Sequence, residues 1–480
     1  MLCSDIMPDA THEIRKKMQK AGLGAAAIQA FLHQYQKVVL KEAGLISENS
    51  LVPVEDLPTI TDQPDPGDTS TLAALTVLLK LNGGLGTGMG LETAKSLLRV
   101  RGDLTFLDII VRQYLELRSK VAPELALLFM NSFSTSGDTA EALIKYPQLG
   151  DIKGLELMQN KAPKVDVNSL APIEWPTNPL LEWCPPGHGD IYPSLLGSGL
   201  LDLLLAIGKR YLFVSNSDNL GATLDMRLLA YFARSSAPFL MEVTARTAAD
   251  RKGGHLARRK NDGRLLLRES AQCPDEDVDA FQDIERHRFF NTNNLWIRLD
   301  ALRAELDRGN GLLPLPLIRN EKTVDPRDKA TPKVYQLETA MGAAIECFDG
   351  AAAIRVPRSR FSPVKSTADL LGVRSDAYEL DPEFRLELIP ERNGEPPIIK
   401  LDDRYKLVDQ FEELVSEGVP SLARCRSLTV RGNLKFGPRV VVVGDVKFIN
   451  SEESRKIIHQ GVYRNLEVSL STSAQNPTEI

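Results

Sequence analysis

Residues 78–96 read "LLKLNGGLGTGMGLETAKS". An apolar run ending at Leu81 stops at Asn82 and opens into five glycines within eight positions, with Lys95 shortly after. Glycines at this density let backbone N–H groups turn inward toward a ligand, because no Cβ stands in the way. Strand, glycine loop and lysine together suggest a phosphate cradle; a tight structural turn accounts for the glycines equally well. Spacing excludes two familiar cradles. The P-loop, counted back from Lys95 and Ser96, requires glycine at Met89 and Ala94. The dinucleotide fingerprint requires glycine at Met89 or at Leu91.

Short apolar runs alternate with helical patterns beyond this loop. Residues 75–81 ("LTVLLKL"), 125–131 ("LALLFMN"), 211–216 ("YLFVSN"), 238–244 ("PFLMEVT") and 293–299 ("NNLWIRL") read as strands. Leu104, Leu107, Val111 and Leu115 line one helical face between the first two. The alternation predicts an α/β core over 70–380 built from βαβ units, with a mainly parallel sheet. Ligands in such sheets sit at the carboxyl ends of the strands. The glycine loop and "SNSDN", residues 215–219, therefore open onto the same edge. Ahead of the core, 8–44 reads as helical, with Ile14, Met18, Leu23, Ile28, Phe31 and Tyr35 at roughly helical spacing. The Pro- and Asp-rich loop 55–70 closes an N-terminal region over 1–69. After 380, "SLTVRGNLKFGPRVVVVGDVKFINS" has short β-rich runs and no helical spacing. An all-β domain over 381–480 is expected, either a sandwich fragment or a β-solenoid, and it is a candidate surface for self-association.

At 480 residues the chain is too long for one ordinary core. Apolar content of 43%, charged content of 25% and a formal charge of −6 describe an ordinary globular protein, with no pull toward nucleic acid or membrane. Cys3, Cys184, Cys273, Cys347 and Cys425 form no C-x-x-C pair and are odd in number, so they read as reduced thiols. The opening "MLCSDIMPDATHEIRKKMQK" has no apolar h-region, and a cytoplasmic setting is expected.

Several stretches could carry chemistry. Asp218, at the end of an apolar strand, is placed to hold Mg²⁺, an ion that takes a few carboxylate oxygens, phosphate oxygens and water. An Asx-turn or helix cap is the alternative use of that carboxylate. In "WCPPGHGDIYPSLL", 183–196, two prolines and two glycines expose His188 as a substrate donor, or else build a rigid turn. In "RVPRSRFSPVKST", 355–367, Pro357 and Pro363 stiffen a cationic segment and pre-position Lys365, a compact charge suited to a phosphate oxygen. "RKGGHLARR" and "FFNTNNLW" combine Gly or Asn with strand-like flanks, and asparagines there can bind sugar hydroxyls.

Together these stretches resemble the eukaryotic-type UTP–glucose-1-phosphate uridylyltransferases, also called UDP-glucose pyrophosphorylases. The likeness runs in order through "LKLNGGLGTGMG", "LTFLDIIVRQ", "MNSFSTSGDT", "PPGHGDIYPSL", "FVSNSDNLGATLD", "KGGHL", "AQCPDEDVDAF", "FNTNNLW", "QLETAMGAAI" and "VPRSRFSPVKST". It covers about residues 70–380 and extends more weakly to both ends.

The resemblance implies a Rossmann-like nucleotidyltransferase core, a helical N-terminal part and a C-terminal left-handed β-helix. It implies a Mg²⁺-dependent reaction of UTP with glucose 1-phosphate, giving UDP-glucose and pyrophosphate. By motif, Leu81, Gly83, Gly84, Gly187 and Asn216 would contact the nucleotide, and Gln159 would read uracil. Lys95 and Lys365 would hold phosphates at the reaction centre, and Asp218 would bind Mg²⁺. His188, Asn219, Gly254, Glu269 and Asn293 would meet the sugar phosphate. Ala94 stands where the family usually has proline, which would leave the loop freer. The nearest alternatives are a broader UDP-sugar pyrophosphorylase and a non-catalytic nucleotide-sugar sensor.

Overall fold

The computed structural model describes residues 10–42, 44–247 and 250–470. The segment expected to be helical over 8–44 holds two helices, and the first residues of that stretch and Ala43 lie outside the described range. α1 (Thr11–Lys20) stops where Gly22 takes φ +79°. There the Leu23 N–H turns back to the Met18 carbonyl at 3.1 Å, a left-handed stop that glycine makes without strain. α2 (Ala25–Val39) folds back onto α1. The buried Tyr35 hydroxyl accepts from the Ala10 N–H at 2.8 Å and donates to the Leu170 carbonyl at 3.1 Å.

Ten strands form the central sheet. In chain order they are β1 (Leu51–Pro53), β2 (Thr76–Leu81), β3 (Ala126–Asn131), β4 (Glu156–Met158), β5 (Tyr211–Asn216), β6 (Phe239–Ala245), β7 (His255–Arg259), β8 (Leu265–Arg268), β9 (Phe289–Arg298) and β10 (Ala352–Arg355). β5, β2, β3 and β4 lie side by side and parallel. β9 runs antiparallel to β5 and β6, while β6 pairs in parallel with β10. β7 continues from β9, flanked by β1 and β8. The sheet is mixed around a mostly parallel core, as the βαβ alternation predicts. Successive side chains point to opposite faces, and the two faces are two separate apolar layers. Leu78, Leu127 and Phe213 pack on one, Val77, Leu79, Leu128, Leu212 and Val214 on the other.

α3 (Phe106–Lys120) makes the crossover from β2 to β3. It starts at a capping box in which Thr105 Oγ1 accepts from the Asp108 N–H and Asp108 Oδ2 from the Thr105 N–H. Leu104 falls in the short strand ahead of the helix, so the buried helical stripe begins at Leu107. α4 (Ile191–Gly197) packs beneath the sheet against α2, and there the N-terminal helices brace the segment that carries His188.

α5 (Thr367–Arg374) leads into the C-terminal strands. These are β11 (Ile398–Leu401), β12 (Ser421–Arg431), β13 (Leu434–Phe436), β14 (Val440–Ile449), β15 (Lys456–Ile458) and β16 (Gly461–Ser469). β11, β12, β14 and β16 stack in parallel, and so do β13 and β15. Parallel stacking of consecutive coils is a solenoid arrangement and rules out the sandwich fragment. Both divisions read from composition cut through paired backbone. β1 belongs to the central sheet although it precedes residue 69, and a hairpin of Tyr378–Leu380 with Leu386–Leu388 straddles residue 380. No helix among the described residues is long and apolar enough to cross a membrane.

The segment ahead of β1 is held by charge. Arg268, fully buried on β8, donates to Glu48 Oε2 at 2.7 Å and to Asp277 Oδ2 at 3.1 Å. Arg286 Nε and His287 Nε2 meet the other Glu48 oxygen at 2.7 and 3.0 Å. Burial pushes the Glu48 carboxyl up, yet His287 and Arg286 hold it below its ordinary 4.5. Removing one partner of a buried pair leaves the other charge uncompensated. Glu48→Ala is expected to lower unfolding free energy by about 3–5 kcal/mol in urea titration at pH 7. Because the folded pKa is the lower one, this contribution is full above pH 4.5 and fades as the pH falls below it. A loss of under about 1 kcal/mol, the surface ion-pair range, would contradict the assignment.

Candidate active site

β2 and β5 run parallel in register up to Leu81 and Asn216, so the loops that follow leave the sheet as neighbours. The Ser217 N–H donates to the Leu81 carbonyl at 3.0 Å. Asn82 is buried and spends its amide on Asn131 Oδ1 and Thr139 Oγ1, at 2.8 and 2.9 Å, anchoring the start of the glycine loop. Gly86 and Gly90 take φ +71° and +76°. A Cβ on Gly86 would lie 3.2 Å from Lys95 Cγ, so the loop closes over the lysine stem. The Lys95 N–H donates to the Gly84 carbonyl at 3.1 Å.

Ala94 does not loosen this loop. Its N–H donates to Asp138 Oδ2 at 3.0 Å, a bond that proline cannot make, and its side chain is buried. The anchoring lost with the proline ring is replaced by a hydrogen bond to α-helical Ser136–Leu143.

Lys95 Nζ meets Asp218 Oδ2 at 2.6 Å. Asp218 Oδ1 is buried without a hydrogen-bond partner. Leaving such an oxygen bare is costly, and an orphaned carboxylate oxygen beside an ammonium and a glycine loop fits a divalent cation completed by phosphate and water. Among the described residues no cluster of three or more His, Cys, Asp or Glu could hold a metal, so an ion on Asp218 would draw mainly on phosphate and water oxygens.

The Lys365 segment reaches the same edge through a buried ion pair. Glu242, fully buried on β6, receives Arg360 Nε at 2.7 Å on one oxygen and Arg360 Nη2 at 2.8 Å on the other. Trp296 Nε1 and Asn294 Nδ2 add bonds of 2.9 and 3.0 Å. Asn219 then clamps the backbone: its Nδ2 donates to the Arg360 carbonyl at 3.0 Å and its Oδ1 accepts from the Ser362 N–H at 3.0 Å. The Val364 N–H donates to the Asp218 carbonyl at 3.1 Å. Asn219 is expected from sequence to bind the sugar phosphate; here both ends of its amide are committed to backbone, and it serves to position the segment. Lys365 itself follows, with its ammonium 6.0 Å from the Phe361 ring and its charge acting on His188 and Glu269.

A cleft of about 270 Å³ opens between these loops. Leu81, Gly83, Gly84, Lys95, Gln159, Gly187, His188, Asn216 and Asp218 all line it. Gln159 Nε2 donates to the Gly187 carbonyl at 2.9 Å, while its Oε1 would lie 2.6 Å from a Cβ on Gly83. Gly187 has φ +79°, and any Cβ there would strike the Thr339 carbonyl. His188 Nδ1 accepts from the Met341 N–H at 2.9 Å. Nδ1 is therefore the unprotonated nitrogen of the neutral ring, and Nε2 carries the proton available for donation. Burial, aided by the nearby Lys365 charge, lowers the ring's pKa to about 4.

The remaining expected sugar contacts sit outside this cleft. Glu269 lies flat on the Gly254 backbone, its Oε2 2.5 Å from where a Cβ would stand. Burial raises its pKa and Lys365 opposes the rise. Asn293 takes φ +59° at a bulge in β9, where its pairing with β6 slips register between Met241 and Val243. Asn291 holds its Oδ1 at 3.0 Å and leaves Nδ2 as the outward donor. Bulges commonly re-aim a side chain next to a site.

Glu242 and Arg360 position the Lys365 segment and escape a reading of motifs. Arg360 is visible only as one charge in a cationic run, and its partner is 118 residues away.

A sheet with a mostly parallel core whose carboxyl edge carries a glycine loop, Lys95 on Asp218, and the Lys365 segment bonded to the Asp218 backbone defines a nucleotidyltransferase site. The family described as UTP–glucose-1-phosphate uridylyltransferase matches residues 25–443. The Saccharomyces cerevisiae enzyme of that name is 44% identical over 84% of this chain and 79% of its own length. That of Solanum tuberosum is 43% identical over 83% and 82%. A mutant UDP-glucose pyrophosphorylase from Leishmania major, solved with UDP-glucose, superposes with TM-score 0.92 at 48% identity, covering 96% of this chain and 99% of that one. A Trypanosoma brucei structure described as UDP-glucose phosphorylase gives 0.90 at 50% identity over 96% and 100%. The chain belongs to the UTP–glucose-1-phosphate uridylyltransferase family.

In an NMR titration, His188 is expected to ionise near pH 4, well below an unperturbed 6.5. Since the folded pKa is the lower, acidification from pH 6.5 toward 4 favours the unfolded chain. An ionisation of this ring near 6.5 would contradict its burial and the acceptor role of Nδ1 toward the Met341 N–H.

Proposed function

We propose that this cleft transfers the uridylyl group of UTP to glucose 1-phosphate, releasing UDP-glucose and pyrophosphate. A phosphate oxygen of glucose 1-phosphate attacks the α-phosphorus of UTP, the bond to the β-phosphate's bridging oxygen breaks, and pyrophosphate leaves with the electron pair. The observation that carries this reading is the 2.6 Å contact between Lys95 and Asp218 at the mouth of the glycine loop, with the Lys365 segment bonded to the Asp218 backbone.

The step needs no protein nucleophile. Its barrier lies in bringing two anions together in line, so the chain's work is orientation and charge neutralisation. Gly83 and Gly84 leave backbone open to the nucleotide, and Gln159 faces its base. Lys95 would hold the triphosphate. Lys365 would stabilise charge at the α-phosphorus and on the attacking phosphate. His188 donates through Nε2 to the sugar phosphate. Glu269, the Gly254 backbone and Asn293 Nδ2 offer the acceptor and donor set that sugar hydroxyls require. Asp218 would hold Mg²⁺ through its unpartnered oxygen; the bound ion would neutralise phosphate charge. A cytoplasmic setting goes with this reading, supported by unpaired Cys184, Cys273, Cys347 and Cys425. Self-association through the C-terminal strands is a separate part of the proposal, read by sedimentation.

Lys365→Ala is expected to lower turnover by about 10²–10³-fold, the scale of a lost electrostatic donor. Pyrophosphate release read against UTP and glucose 1-phosphate checks this, and near-wild-type turnover would remove Lys365 from the reaction centre. Asp218→Asn is expected to cost at least about 10²-fold and to raise the Mg²⁺ concentration needed for half-maximal rate. Full activity in excess EDTA would refute the metal role. A panel of sugar 1-phosphates separates a glucose enzyme from a broader one, and UTP binding without turnover would identify a sensor.

A further inference from the structure

We propose that Asp190 is a positioning residue for nucleobase selection: its carboxylate clasps Asn160 and so sets the direction of the Gln159 amide, making the cleft accept a uracil edge and refuse a cytosine edge. The proposal rests on the reading that Gln159 faces the base.

Asp190 is the N-cap of α4, yet its side chain caps no helical N–H. It reaches away from the helix instead. The carboxylate accepts from the Asn160 N–H at 2.7 Å and from Asn160 Nδ2 at 3.1 Å. The Ser194 hydroxyl donates to it at 2.7 Å, and Asn160 Nδ2 also reaches Ser194 Oγ at 3.0 Å. Asp190 and Ser194 are buried, and Asn160 is half-buried beside them. Gln159 is therefore gripped on both sides of its Cα: its own N–H donates to the Asn131 carbonyl at 2.7 Å, and the next N–H is held by Asp190.

The same residue fixes the side chain's acceptor. The Asp190 N–H donates to the Gly187 carbonyl at 3.3 Å, and that carbonyl also takes Gln159 Nε2 at 2.9 Å. With Nε2 spent on a carbonyl, turning the amide over would face oxygen against oxygen. Oε1 is left as a fixed acceptor, 2.6 Å from where a Cβ on Gly83 would stand. Uracil offers a donor, N3–H, between two carbonyls. Cytosine offers an acceptor at N3 beside an amino donor. A fixed acceptor pairs with the first and opposes the second, and a site built for one hydrogen-bond pattern rejects its inverse by leaving buried polar groups unpaired. If Asn160 moves, the Gln159 backbone tilts and the amide can rotate to suit either base.

Steady-state kinetics with UTP and with CTP, at saturating glucose 1-phosphate, tests this on Asp190→Asn, Asn160→Ala and Gln159→Ala, with competition against UTP where CTP turnover is too slow to read. Asp190→Asn is expected to lower the UTP-over-CTP ratio of kcat/KM by about 10-fold or more. The change should come through KM for UTP, with KM for glucose 1-phosphate within twofold of wild type. Asn160→Ala breaks the clasp from its other side and should do the same, which keeps the test available if Asp190→Asn does not fold. A residue with a merely structural role would slow both nucleotides equally; an unchanged ratio in the clasp variants, alongside a collapsed ratio in Gln159→Ala, overturns the clasp and leaves the base reading standing. An unchanged ratio in Gln159→Ala overturns both.

Discussion

The arrangement of this molecule depends on one buried charge. Glu242 sits on β6 with no solvent to screen it, and the bidentate Arg360 supplies the opposite charge. Burying both ions carries a desolvation penalty of several kcal/mol each, offset only when geometry and auxiliary hydrogen bonds are good. Trp296 and Asn294 supply those bonds. Once Arg360 is committed, its carbonyl is within reach of Asn219, and the chain that follows must pass along the Asp218 loop before it enters α5. Gly221 shows how close that passage is: a Cβ there would lie 2.2 Å from the Ser359 carbonyl. Lys365, ten residues beyond the end of β10, is thus held beside the loop that follows β5, although β10 and β5 are not neighbours in the sheet. A pair deep in the fold does work at the surface of the cleft.

The glycine loop shows a second constraint. Gly83 lies against Gln159, Gly86 against Lys95 and Gly90 against Leu407, while Gly84 and Gly88 face open space. The loop is packed at three of its glycines and open at the other two. Its lysine waits on a carboxylate rather than in water, so an arriving phosphate exchanges one anion partner for another. Lys80, buried beneath, donates to Ser215 Oγ and the Ala222 carbonyl at 2.8 Å each and ties the two loops' strands together. Burial lowers its pKa to about 7, with Arg360 adding to the effect and Glu242 opposing it.

Much of this was legible in the chain. The apolar runs at 75–81, 125–131, 211–216 and 238–244 are strands within a residue or so, because buried parallel strands need both faces apolar and few other segments look like that. The residues of the glycine loop, Gln159, Gly187, His188, Asn216 and Asp218 share one cleft because they follow strands or turns whose carboxyl ends a doubly wound sheet must gather. The helical character of 8–44 is legible, and the break between its two helices falls at Gly22 and Gly24, which apolar spacing runs through unaltered. Asn219 differs in kind from its expected role as a sugar-phosphate ligand. Its neighbours make it look like a ligand, and its actual partners, the Arg360 carbonyl and the Ser362 N–H, are backbone groups more than a hundred residues on.

What the sequence determined by itself was local: where strands alternate with helices, which edge the glycine loop and Asp218 share, and that a run of cations stiffened by proline would present Lys365. These follow from side-chain size, periodicity and backbone freedom, which act over a few residues. Tertiary structure alone decided which cation is buried and which is offered, that Ala94 is anchored by Asp138, and that Asp190 grips Asn160 rather than capping its helix. Those outcomes rest on electrostatic and hydrogen-bond partners far apart in the chain, and a buried polar group's partner is set by where the fold puts it, not by anything written beside it.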